Sequence, residues 1–229
     1  IDFVKIRVPS YNVPLGVLLP KDYDGLIVAE KSIGATNIVN GATRLQPVVL
    51  GIGQASGVLA ALAVKQNKKP AEVAIRDVQS TLLDHKAYIM PYFDVPPTDP
   101  QFKTLHKIGA TGVLKAVGVP YKWANQTWFY PEREISEYEL MEGLRSYYPE
   151  LNSVWTASGK PLSVQGLQDI LKEIKKEISL VDLNNILATN KLDILKDEDS
   201  RINRRYLSVI LDAHLRLFEK DIDHSGNLK

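Results

Sequence analysis

The 229 residues contain no cysteine. That removes disulfides, thiolate nucleophiles and cysteine-type zinc sites, and it leaves the compartment open, since an exported protein can lack disulfides. An excess of one charge is also missing. The 28 Lys+Arg and 27 Asp+Glu leave a net charge of +1, so nothing in the balance calls for nucleic acid as a partner. The four histidines, His85, His106, His214 and His224, lack metal-ligand spacing, and no metal site is predicted. Neither G-x-S-x-G nor G-x-x-x-x-G-K-[ST] occurs. The chain starts at Ile1 without Met, basic n-region or apolar h-region, so it reads as the C-terminal part of a longer protein.

A hydrophobic content of 45% supports a proper core and either one large or two small domains. Ile1 to Val8 alternates apolar and polar residues, and Val13–Leu19 and Leu26–Ala29 are short apolar runs bounded by Pro, Gly and Asp. All three are predicted strands. Pro70 opens a predicted helix over Glu72 to Leu83. The stretch Tyr88 to Pro100 carries four prolines after Ile89 and is expected to be an extended boundary. Beyond it, Ile135–Leu144, Leu162–Leu171 and Ile202–Leu211 share an apolar residue, a Ser or Asn, and a helical pattern. Ser136, Ser163 and Asn203 are natural N-caps, Glu139 completes a capping box with Ser136, and the set suggests a small repeat array.

Pro47 to Gln66, PVVLGIGQASGVLAALAVKQ, is uncharged until Lys65 and admits three readings. Gly51-Ile-Gly53-Gln-Ala-Ser56 is one residue short of the nucleotide fingerprint G-x-G-x-x-G, lacks a proper preceding strand, and has Glu72 as its only candidate acid. A membrane helix fits the length but not Gln54, Ser56 or the missing aromatic belt. The third reading fits best: a buried helix apolar all round, with Gly51, Gly53 and Gly57 admitting neighbouring backbone. Its N-terminus near Arg44 to Gln46 would favour an anionic or electron-rich group.

Tyr11–Pro20 (YNVPLGVLLP), Gly25–Thr36 (GLIVAEKSIGAT) and Gly41–Ala63 (GATRLQPVVLGIGQASGVLAALA) together resemble the C-terminal end of the FAD-dependent oxidoreductases of the bacterial glutathione-reductase-like superfamily, over roughly residues 5 to 83. The resemblance implies that the run ending at Ala29 closes an FAD-binding sheet. It also implies that the helix after Arg44 points its N-terminus at the pyrimidine side of the flavin. Lys31 and Ser32 would then lie near the ribityl or pyrophosphate part, and Gly41, Arg44, Leu45 and Gln46 near the ring. Many relatives have Gly-Arg where this chain has Glu30-Lys31. The family's ADP-binding G-x-G-x-x-G is nowhere in these 229 residues, so the expected partner is an N-terminal flavin-domain segment, and this chain by itself is expected to hold no FAD stably and to be inactive.

The C-terminal half is similar, more weakly, to surface-layer homology repeats, through Ile108–Leu140 and Ser200–Asp212. That likeness implies binding of charged wall polysaccharide and a periplasmic or cell-surface setting. The family's ligand arginine falls on Glu137, Val164 and Arg204, so only one copy retains the base. Tyr121, Trp123, Trp128, Phe129 and Tyr130 form an aromatic cluster that reads either as core or as a surface for sugar rings. Asp221 to Gly226 starts like a calcium loop and reads as a surface turn. The expected architecture is α+β/α: a partial α/β flavin-domain remnant (1–87) with few strands and a long buried helix, a proline-rich linker (88–100) and a mainly helical repeat-like domain (101–229). The expected function is that of the C-terminal part of an FAD-dependent oxidoreductase. The alternative is a non-catalytic carbohydrate-binding or surface module.

Overall fold

A computed structural model of the chain describes residues 10–121, 124–154 and 159–229. The strand expected at Ile1–Val8 lies outside them, apart from the flanking residue Ser10. The chain divides into two units, one of residues 11–89 with 219–229, the other of residues 90–218 with the N-terminal stretch.

The first unit holds three α-helices, α1 (Asn37–Thr43), α2 (Gln46–Gln66) and α3 (Ile75–Asp84). Thr36 caps α1 by accepting from the Val39 amide. Pro47 sits in the first turn of α2, where its missing N–H costs nothing, and Asn67 closes that helix in the left-handed conformation. One face of α2 is buried, through Val49, Ile52, Ser56, Leu59 and Ala63, against Leu18, Ile33, Val73, Val78 and Leu82. The buried Ser56 hydroxyl is satisfied within the helix by the Ile52 carbonyl, at 2.8 Å.

Three expectations change in this unit. Val13–Leu19 folds as a 3₁₀ turn at Leu15–Leu18, and Leu26–Ala29 is irregular. A strand needs a ladder of partners, whereas the links here are single: Val28 N to Leu18 O at 2.9 Å and Gly34 N to Val17 O at 2.8 Å. Among the described residues this unit therefore has no strand. The helix after Pro70 also starts later than expected, because Pro70–Glu72 forms its own 3₁₀ turn. Finally, α2 is not buried all round. Leu50 is 74% and Val64 83% exposed, and a Cβ added at Gly51, Gly53 or Gly57 would meet nothing within 4 Å. By length and hydropathy α2 would also cross a membrane, a test that the core helix of a soluble protein passes equally.

The tail belongs to this unit. Gly16 N donates to His224 O at 3.1 Å, and Arg76 Nε donates to Lys220 O at 3.2 Å. The Asp223 carboxylate accepts from the Ser225 and Asn227 amides and from the Asn227 side chain. Those bonds hold its pKa below the ordinary aspartate range, the Asn227 backbone amide contributing most. Asp221 to Gly226 is thus a turn closed on Asp223 and tied to Gly16 through the His224 carbonyl.

The second unit contains α4 (Phe102–Thr111), an antiparallel hairpin of β1 (Val117–Tyr121) and β2 (Ala124–Trp128), then α5 (Glu137–Leu144), α6 (Leu151–Val154), α7 (Val164–Glu173), α8 (Leu180–Thr189) and α9 (Arg204–Leu215). α4 and α8 pack on α9. The segment after Met90 is part of this core, since Tyr92 and Val95 are buried.

Ser136, Ser163 and Asn203 each cap a helix, accepting from Glu139, Gly166 and Tyr206 amides. The three capped segments close on one another in a ring. The first helical amide of each donates to the carbonyl three residues before the next cap: Glu137 N to Lys160 O (3.1 Å), Val164 N to Ser200 O (3.1 Å) and Arg204 N to Arg133 O (3.0 Å). Single antiparallel bridges repeat the same order, Ser136 with Pro161, Ser163 with Arg201 and Asn203 with Glu134.

Candidate functional site

Gly41, Arg44, Leu45 and Gln46 are brought together at the corner where α1 passes into α2. All four are exposed, and Arg44 makes no ion pair among the described residues. The Leu45 carbonyl accepts from both Val48 N and Val49 N at 2.9 Å, and Pro47 has no N–H. The Gln46 amide is therefore the one first-turn donor of α2 without a partner among the described residues, and it stands at the positive end of a 21-residue helix. Two buried oxygens beside the corner, Asn40 Oδ1 and Thr43 Oγ1, have no hydrogen-bond partner among the described residues. Thr43 is 2% exposed, and an unmet buried hydroxyl of this kind calls for an explanation.

Lys31 and Ser32 lie in a 3₁₀ turn (Glu30–Ser32) that packs on α2, and both are exposed. Glu30 has φ +56°. That left-handed conformation is the one glycine takes without penalty. A shallow groove of about 470 Å³ lies elsewhere, between α2 and α3 past Gln54, Gly57, Lys65, Thr81 and His85. It touches none of the residues named for the cofactor. Among the described residues no three of His, Asp and Glu come close enough to hold a metal.

In the second unit the aromatic residues divide. Phe129 is fully buried, and the Arg204 guanidinium lies 4.5 Å from its ring centre. Phe93 and Tyr130 are exposed, 63% and 36%, and Trp128 between them is half-buried. The three rings form a row, with Phe93 to Trp128 at 5.2 Å and Trp128 to Tyr130 at 5.6 Å, the last two only 20° from parallel. Val117 pairs with Trp128 in the hairpin and Tyr121 with Ala124, which puts Val117 and Tyr121 on the same sheet face as Trp128. Trp123 lies outside the described residues. Trp128 Nε1 donates to Gln126 Oε1 at 3.1 Å. Phe93 went unnoticed in the sequence because its proline-rich surroundings read as a linker; the bridge between Tyr92 and Thr127 draws it to the hairpin.

Arg204, the base that the likeness to surface-layer repeats would make a ligand arm, is buried inside the second unit. Its side chain is 1% exposed and donates to Phe129 O (2.7 Å), Lys115 O (2.8 Å) and Glu139 Oε1 (2.5 Å). Burial works against its charge, and Glu139 offsets that. Arg133 also donates to Glu139 Oε1, at 2.6 Å, so the Glu139 carboxylate turns to two guanidinium groups and not to a capping box.

Residues 1–82 match the family model of the FAD dependent oxidoreductases. No curated protein matches the chain, and no solved structure does.

Proposed function

We propose that the first unit is the flavin-ring side of the cofactor domain of an FAD-dependent oxidoreductase. The observation that carries this is the α1–α2 corner inside the matched segment: an exposed helix N-terminus with one free amide, a cation at Arg44, and unmet buried oxygens at Asn40 and Thr43. FAD would supply the redox chemistry. The Gln46 amide and the dipole of α2 would stabilise negative charge at the pyrimidine edge, with Arg44 adding a full charge. Lys31 would face the phosphate or ribityl portion. The residues present fit the ring end of the cofactor and not its adenylate end, because the 229 residues contain no G-x-G-x-x-G to cradle a pyrophosphate. We therefore propose that flavin is held only together with such an element, and that this chain alone does not turn over. Arg44→Ala in a flavin-loaded protein tests the assignment: weaker flavin retention or a shifted flavin potential supports it, and unchanged values of both refute it.

The exposed ring row favours a second reading for the other unit, a carbohydrate-binding module. Retention of the purified protein on insoluble polysaccharide is its test.

A further inference from the structure

We infer that the outer face of the β1–β2 hairpin is a stacking platform for an uncharged pyranose face, built from Phe93, Trp128 and Tyr130 and positioned by Asp94. The inference deepens the second reading above and rests on it.

The first argument is backbone strain. Seven non-glycine residues among those described have positive φ, and five of them (Asn67, Lys86, Lys175, Lys191 and Arg216) end helices, where a left-handed residue closes the last turn. Tyr130, at φ +54°, ends no helix. A bulky side chain in that conformation costs about 1–2 kcal/mol and persists only where its surroundings over-determine it. Here they do: Asp94 Oδ1 accepts from Phe129 N at 2.8 Å and Asp94 Oδ2 from Tyr130 N at 2.7 Å. On the next peptide, Tyr130 O accepts from Arg133 N at 3.1 Å. The strain turns the tyrosine ring onto Trp128 at the surface, leaving the core to Phe129.

The second argument is the chemistry that the row offers. The π-face of an aromatic ring is negative, so it attracts the weakly positive C–H groups that line one face of a pyranose. Trp128 and Tyr130 stack within 20° of parallel and Phe93 leans on Trp128 at 42°, so the row is an apolar ridge whose outermost ring faces belong to Phe93 and Tyr130. The indole N–H is already engaged by Gln126, leaving apolar ring surface for the ligand. The charged groups adjoining the row are also committed: Asp94 to two amides, Glu132 to Arg205 and Asn203, and Arg133 to Glu139. A charged polymer would find no free counter-charge among them, which selects a neutral glycan.

The experiment uses the whole 229-residue protein and neutral hexasaccharides of glucose, xylose and N-acetylglucosamine. Tryptophan fluorescence follows the titration, and retention on the matching insoluble polysaccharides is scored beside it. The expected result is a saturable change with one of the three, weakened at least about tenfold by Trp128→Ala and by Phe93→Ala and largely kept by Trp128→Phe. Unaltered thermal melting and circular dichroism establish that the alanine variants are folded. Retention by wild type that survives both alanine variants overturns the platform while leaving the glycan-binding reading standing. No binding by wild type up to about 10 mM, weaker than any useful affinity, overturns both, as does ring-dependent self-association without glycan binding.

Discussion

Arg204 and Glu139 meet at 2.5 Å with the arginine side chain 1% exposed. The pair ties the first and third capped segments of the ring together, and the same guanidinium satisfies two carbonyls outside it. Removing the arginine leaves the Phe129 and Lys115 carbonyls without this donor and Glu139 with Arg133 alone. Each buried carbonyl left unmet costs about 1–3 kcal/mol, or about 2–6 kcal/mol for the two. Arg204→Ala is therefore expected to destabilise the second unit by that amount in urea unfolding followed by tryptophan fluorescence. Glu139→Gln, which leaves the two carbonyl bonds intact, should cost about 1–2 kcal/mol. Equal effects would mean that the carbonyl contacts contribute little.

Glu30 gives a prediction of the opposite sign. Glycine at φ +56° relieves about 1–2 kcal/mol of left-handed strain and loses about 0.5–1 kcal/mol to chain entropy. Glu30→Gly is expected to raise the melting point of the first unit by the equivalent of about 0.5–1 kcal/mol. A lower melting point would mean that the Glu30 side chain holds this turn.

Two glycines test where the chain is tight. A Cβ at Gly143 would lie 2.0 Å from the Val113 carbonyl oxygen, a backbone atom, whereas one at Gly57 meets nothing. Gly143→Ala should cost about 3 kcal/mol by overpacking. Gly57→Ala should stabilise α2 by up to about 1 kcal/mol through helix propensity. Destabilisation by Gly57→Ala in chemical unfolding would restore the close-packing role that the sequence suggests for it.

His106 sets an acid limit. It is fully buried, packs at a tilt of 41° on Phe102 with centroids 4.3 Å apart, and accepts from the Met90 amide at Nδ1. Burial lowers its pKa to about 4, against a smaller opposing effect of the Val95 backbone. With the folded value below the unfolded value of about 6.5, the unfolded state binds the proton first. Stability from this group is thus intact above about pH 6.5 and falls as pH drops towards 4, by about 3 kcal/mol in all. The difference between wild type and His106→Asn, followed by melting at stepped pH, should show that slope; parallel curves would contradict it.

Caps were the most legible feature. Ser136, Ser163 and Asn203 are local devices, and a short oxygen before a helical pattern suffices to mark them. The helix at Gln46–Gln66 was legible through its long uncharged run and Pro47 in its first turn. Its burial was not, because a run of Gly, Ala and Val states that no face is polar without stating that any neighbour covers each face. Val13–Leu19 and Leu26–Ala29 failed as strands because pairing is non-local: alternation names candidates, and only partner segments make a ladder. At the cofactor corner the contiguous residues Gly41 to Gln46 could be read as a helix start, whereas the unmet oxygens of Asn40 and Thr43 depend on tertiary packing. Asp94 was invisible for the same reason, since its amide partners lie 35 and 36 residues away.

The most direct test of the cofactor assignment is flavin retention after gel filtration. It compares this 229-residue chain incubated with FAD against the same chain joined to an N-terminal flavin-domain segment that carries G-x-G-x-x-G. The account predicts that the chain alone elutes colourless and that the longer protein elutes yellow with bound FAD, a complex that Arg44→Ala weakens. A tight stoichiometric yellow complex of the 229 residues alone, or a longer protein that stays colourless, would contradict it.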